Sequence, residues 1–331
     1  GPRGRPRTKS PCQPISYLDQ MRPLGRRLLA GLLVLAPPAC RSVELLASRR
    51  SPRALGGELG CAVPERLKRF SQKWDAYMEP EVKMAERLSK AAAASKGPPL
   101  AIVVGVMSRG GCADVPYRNV LRSTWMQLPE VCNATRAGPR AGCSVYVTFV
   151  LGNSSAPTGE RDVATLPMRE NMNCGKSPAW FRYAAKEYPW ATHVAKMDMD
   201  AFLRVPRFLS IVRGFSHPCK NVFGGHSYIS DRGDAWLPPE GCGHPKKADF
   251  LDYGDRSAEC WSYMQGGFYM LTRELAANVS APGGWWERES EQCKDEDAVA
   301  GHAVHKYAVE QKVCVAALKF PSGHKAFWHR P

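Results

Sequence analysis

Three short, unbroken apolar runs do most to limit the folds open to this chain. Leu100–Met107 (LAIVVGVM), Ser144–Leu151 (SVYVTFVL) and His193–Met197 (HVAKM) lack the strict apolar–polar alternation of a strand with one wet face. Runs of this length, bounded by turn residues, suit strands covered on both sides. Between and after them lie helix-forming segments, Tyr117–Met126, Lys176–Tyr188 and Val205–Arg213, the last with Pro206 near its start. Strands alternating with helices predict an α/β fold around a mostly parallel central sheet. Ligands of such sheets bind at the carboxyl ends of the strands.

The third run carries an acidic pair to that rim. In Lys196-Met197-Asp198-Met199-Asp200-Ala201-Phe202-Leu203, two carboxylates stand one residue apart where a strand gives way to a loop. Side chains at i and i+2 of an extended segment point the same way, so Asp198 and Asp200 can converge on one cation. Mn²⁺ and Mg²⁺ take such oxygen donors and keep positions open for substrate phosphates. The chain has 13 aspartates in 331 residues, so about half of one D-x-D is expected by chance. A second stands at Asp295 and Asp297. The pair gains meaning only from its surroundings.

Charge separates the chain into parts. Residues 1–99 hold 19 Lys/Arg against 8 Asp/Glu, and residues 100–331 hold 27 against 23. The net charge of +15 therefore belongs mainly to the N-terminal part, which argues against nucleic acid as the partner of the globular part. Residues 1–27 read as a basic disordered arm. The apolar run 28–40 (LLAGLLVLAPPAC) has a positive flank but is short and interrupted by Pro37-Pro38, as in a signal peptide or a marginal membrane anchor. Residues 41–99 form a stem and linker, with a helix-prone stretch from Pro64 to Ser95 broken at Pro80 and lying outside the core. Residues 100–331 form the catalytic domain.

Twelve cysteines without a C-x-x-C pair argue for disulfides rather than a zinc ribbon. Three sequons, Asn133-Ala134-Thr135, Asn153-Ser154-Ser155 and Asn278-Val279-Ser280, agree with a secretory location. Beyond Ser216, glycine pairs alternate with Trp236, Trp261, Trp285 and Trp286. Glycine turns with exposed aromatics suit a sugar-binding surface, whereas loops packing their own tryptophans would read the same way.

Five segments, in order, resemble the β-1,3-glycosyltransferases (glycosyltransferase family 31). Arg118-Asn119-Val120-Leu121-Arg122-Ser123-Thr124-Trp125 is similar to the family's R-x-x-x-R-x-T/S-W signature, and Val147–Gly152 to its F-x-L-G strand. Lys196–Leu203 resembles K-x-D-D-D-x-F, Gln265–Thr272 resembles G-G-x-x-Y-x-L-S, and Glu296–Gly301 resembles E-D-V-x-x-G. Phe202–Leu209 looks like the F-L-R-V-P-x-Y-L of protozoan phosphoglycan β-1,3-galactosyltransferases. Two positions depart: Met199 replaces the middle acid, and Ala298 replaces the valine.

The resemblance implies a GT-A-type nucleotide-sugar-binding sandwich and inverting transfer of a hexose from a UDP-sugar to a glycan acceptor, forming a β-1,3 linkage. Galactose ranks ahead of N-acetylglucosamine as the sugar. It implies a single-pass type II protein of the Golgi lumen. Asp198 and Asp200 would hold Mn²⁺ or Mg²⁺, with His324 and His329 as candidate further ligands. Arg118, Arg122, Lys196, Asp198 and Met199 would serve the nucleotide-sugar. Asp297 would be the base, with Glu296 as its neighbour, and Gly224, Gly225, Trp261, Gly266 and Gly267 would shape the donor and acceptor pocket. A catalytically inactive glycan-binding relative is one alternative. A secreted metal-dependent phosphodiesterase is another, though it would need more His/Asp ligands than the Asp114 that Gly105–Asp114 offers.

Overall fold

The computed structural model describes residues 61–92, 99–153, 159–228, 237–238, 261–321 and 326–329. The basic arm, the apolar run 28–40 and the first part of the stem lie outside these residues. Among the described residues, no helix is long and apolar enough to cross a membrane.

The apolar runs become the middle of an eight-stranded sheet. β1 (Ile102–Met107) lies between β3 (Val145–Gly152) and β5 (His193–Asp198), parallel to both. β2 (Val131–Asn133) and β4 (Val163–Leu166) pair with successive halves of β3. On the far side of β5 come β8 (Tyr263–Thr272), β7 (Asn221–Tyr228) and β9 (Val315–Lys319), and β8 is antiparallel to both its neighbours. The α/β sandwich around a mostly parallel central sheet expected from the sequence is the fold observed.

Both faces of the sheet are covered, which explains the unbroken apolar runs. Ile102, Val104 and Val106 face one core cluster while Val103 and Met107 face the other. Helices α2 (Val115–Ser123) and α4 (Val205–Gly214) pack on the first side, and α3 (Ser177–Glu187), α5 (Arg273–Val279), α6 (Trp285–Ser290) and α7 (Glu296–Gln311) on the second. Gly105 in β1 has a specific task. A Cβ there would fall 2.2 Å from the Trp180 ring, so glycine lets the indole of α3 lie against the sheet and donate to the Ala195 carbonyl at 2.9 Å.

The stretch before the domain departs from expectation. It forms one helix, α1 (Glu65–Ala92), which runs through Pro80. Leu67, Phe70 and Trp74 on one face join the same core as β1 and β3, and Trp74 meets Phe202 at 5.7 Å. Pro80 lies on the exposed side, so the lost hydrogen bond faces water while the buried stripe holds the helix across it. Truncating a buried tryptophan such as Trp74 would cost about 3–5 kcal/mol. Glu81, also buried, accepts from Arg204 at 2.6 Å. This helix is packed core rather than an outlying stem.

Among the described residues, four disulfides join Cys61 to Cys112, Cys132 to Cys143, Cys174 to Cys293 and Cys219 to Cys314. The first ties the start of α1 to the β1–α2 connection, and the third ties the turn before α3 to the approach to α7.

Candidate active site

β1 and β5 end level with each other, Met107 opposite Asp198. Asp198 closes β5, whereas Asp200 lies in the turn that leads to β6 (Ala201–Leu203). The extended i, i+2 geometry expected of the pair therefore stops at Asp198. The reason is that β6 leaves the main sheet to pair with β10 (Phe327–His329), so the chain must turn between the two acids. That same pairing sets His329 opposite Ala201. Its Nε2 lies 3.4 Å from Asp198 Oδ2 and 3.3 Å from Asp200 Oδ1.

Each of the three residues offers one ligand atom, and these atoms lie within 4.8 Å of one another. Two carboxylates and an imidazole form a donor set suited to Mn²⁺ and acceptable to Mg²⁺, so the residues present fit a divalent ion. Burial alone would lower the His329 pKa, but the hydrogen bonds it donates to the two aspartates outweigh it and the imidazole is pushed up to about 9. A cation bound there would displace that proton. Burial would likewise raise the Asp198 carboxyl, yet Lys196 and His329 hold it below its usual range. His324 lies outside the described residues.

Lys196 sits beneath this pair, almost fully buried. Its Nζ lies 2.8 Å from Asp198 Oδ1, donates to the Gly266 carbonyl at 2.6 Å, and also donates to Glu296. Burial would lower its pKa, but the Asp198 and Glu296 charges hold it up. The other Glu296 oxygen accepts from Ser177 at 2.6 Å and from Tyr269 at 2.9 Å. Glu296 thus accepts three hydrogen bonds and ties β5, β8 and α3 to the start of α7.

Asp297 opens α7 beside it. Its Oδ2 accepts from the Gly266 backbone N–H at 2.8 Å and its Oδ1 from that of Ala298 at 2.9 Å. Burial first, and the Glu296 charge second, raise its carboxyl to about 6. Gly266-Gly267 is the strip that joins the two acidic centres. A Cβ on Gly266 would approach Asp297 Oδ2 to 3.2 Å, and one on Gly267 would fall 2.5 Å from the His329 ring.

A cavity of about 330 Å³ opens beside Asp198, Met199 and Asp200. The β1–α2 connection contributes Ser108, Arg109 and Asp114, and Glu170 and Lys176 line it further along. A galactosyltransferase family model matches residues 116–315 of the chain. The chain belongs to the galactosyltransferase family. It is therefore a glycosyltransferase, with a sugar donor and a glycan acceptor as its substrates. No curated protein matches the chain. Among solved structures, the inositol-1-phosphate CTP transferase from T. maritima is similar at 13% identity and a TM-score of 0.33, covering 68% of this chain and 87% of that one.

Other residues of this galactosyltransferase-family chain lie where the sequence did not suggest. Arg118 is buried, bonded at 2.8 Å to Ser108 Oγ and to the Arg109 carbonyl, and its Nη2 donates to Glu160 at 2.8 Å. Arg122 is taken up by Asp162 at 2.7 and 2.8 Å and by Glu160 at 2.8 Å. Neither lines the cavity. Arg118 braces the loop after β1 and the segment before β4, and Arg122 braces the latter. Trp261 is buried and stacks on His302 at 4.5 Å, and Trp286 is buried as well, so neither indole is presented as an exposed sugar platform. Gly224 and Gly225 make room for Met270 and Met264 of β8.

Beyond Asp198, Asp200 and Asp114, the cavity's polar lining escaped sequence reasoning. Arg109 donates from its backbone to Asp114 at 2.5 Å and from its guanidinium at 3.1 Å. Lys176, nearly fully buried, donates to the Ser108 carbonyl at 2.7 Å and to Glu170. Burial lowers its pKa against the pull of Glu170. The partners are 68 and 6 residues away. The one available signal was a lysine at the start of a helix after a glycine turn.

Proposed function

We propose that this glycosyltransferase carries out an inverting, metal-dependent transfer of a hexose, galactose ahead of N-acetylglucosamine, from a UDP-sugar to a glycan acceptor with a β-1,3 linkage. The observation that carries the reading is the pairing of two acidic centres across Gly266-Gly267. Asp198, Asp200 and His329 lie on one side, and Asp297 on the other.

Asp198, Asp200 and His329 would hold Mn²⁺ or Mg²⁺. When bound, such an ion supplies charge neutralisation to a diphosphate leaving group. Asp297 takes the proton of the acceptor hydroxyl as that oxygen attacks the anomeric carbon. The bond to UDP breaks on the opposite face, so the anomeric configuration inverts. A carboxyl raised to about 6 is a stronger base than an ordinary aspartate and is still ionised at neutral pH. Lys196 and Glu296 keep the two centres in register. The disulfides, and the exposed positions of Asn133, Asn153 and Asn278, support assignment to the Golgi lumen or another secretory compartment.

The test is transfer and donor hydrolysis across UDP-galactose, UDP-N-acetylglucosamine and UDP-glucose, with and without Mn²⁺, for wild type and Asp200→Ala. Turnover of one donor, dependent on Mn²⁺ and reduced at least about 100-fold in the variant, supports the reading. UDP binding without any turnover would instead make the chain an inactive glycan-binding relative. Full activity in Asp200→Ala would remove the metal assignment.

A further inference from the structure

Helix α1 lies outside the family-matched residues 116–315, yet it supplies part of the cavity wall. Arg66, in its first turn, lines the cavity together with Asp198 and Asp200. Its guanidinium is 3.6 Å from Asp200 Oδ2 and rests over the Phe70 ring at 5.0 Å. The side chain is 57% exposed, so as an isolated ion pair it is worth little. Its placement, however, is firmly built. Leu67, Phe70 and Trp74 bury the adjoining face of the helix, Glu81 is bonded to Arg204, and Cys61–Cys112 ties the helix start to the connection that carries Ser108 and Arg109.

The charges of the cavity say what Arg66 is for. Arg109 is committed to Asp114, and Lys176 to Glu170 and the Ser108 carbonyl. The two charges of a divalent ion would be balanced by Asp198 and Asp200, leaving a nucleoside diphosphate without full compensation. A cation held by Asp200 would also turn the Arg66 guanidinium away from that carboxylate and toward the cavity. Its planar set of donors suits phosphate oxygens.

We propose that Arg66 is a donor-binding residue that clamps the diphosphate of the nucleotide-sugar, delivered by a helix that precedes the family-matched region. The inference rests on the proposed use of a UDP-sugar. Calorimetric titration of the full chain in Mn²⁺, with UDP and with uridine as probes, tests it on wild type, Arg66→Ala and Arg66→Lys. The expected result is that Arg66→Ala weakens UDP binding about tenfold or more, that Arg66→Lys recovers part of it, and that uridine binding is unchanged in both. Wild-type affinity for UDP in Arg66→Ala overturns the proposal. So does an equal loss for uridine, because that marks a deformed cavity rather than a missing phosphate contact. Failure of wild type to bind UDP at all overturns the UDP-sugar reading itself, and the clamp with it.

Discussion

Lys196 of β5 donates to the carboxylate of Glu296 at the start of α7, and the same ammonium lies 2.8 Å from Asp198. One buried positive charge thus links the residue that would hold a metal to the neighbour of the residue that would act as base. Lys196 and Glu296 are 100 residues apart in the chain, and their contact ties the two centres together.

Replacing Lys196 by methionine should therefore do double damage. It leaves Asp198 and Glu296 facing each other in a buried place, a loss of about 3–5 kcal/mol. Thermal unfolding monitored by circular dichroism measures it, and Lys196→Met melting with the wild type would show that the contact does not bind the site together.

Asp297→Asn should lower turnover by about 10²–10⁴-fold while leaving UDP affinity unchanged, since the asparagine keeps the shape but takes no proton. The sign of the pH effect follows from the raised carboxyl. Below about 6, Asp297 is protonated and cannot accept the acceptor proton, so the rate falls on the acid side. A kcat profile from pH 5 to 8 checks this. A flat profile, or an asparagine variant with normal turnover, would assign the base elsewhere.

Gly267→Ala probes the strip between the centres. The added methyl falls 2.5 Å from the His329 ring, so the imidazole must move away from Asp198 and Asp200. Mn²⁺ affinity, read by electron paramagnetic resonance of the free ion, should drop about 10–100-fold. The His329 side chain is only 13% exposed and its own Cβ lies 2.9 Å from the added methyl, so β10 must shift with the ring and a lower melting temperature accompanies the loss. Unaltered Mn²⁺ binding would mean that His329 is not a ligand.

The sequence by itself determined the layering of the molecule. Apolar runs at 100–107, 144–151 and 193–197, separated by helix-forming segments, can be buried only as central strands covered on both faces, so α/β order was legible from local pattern. Motif order also carried the family, and the acidic pair at a strand end carried the rim of the sheet. Tertiary structure alone decided what these residues touch. It brought His329 to Asp198 and Asp200 through the β6–β10 pairing, and it turned Arg118 and Arg122 onto Glu160 and Asp162. It also made α1 part of the core, with Arg66 at the cavity. The physical reason is that periodicity reports whether a side chain is buried, which depends on near neighbours along the chain. Ion pairs and hydrogen bonds depend on which distant segments the sheet order sets side by side, and no local spacing encodes that order.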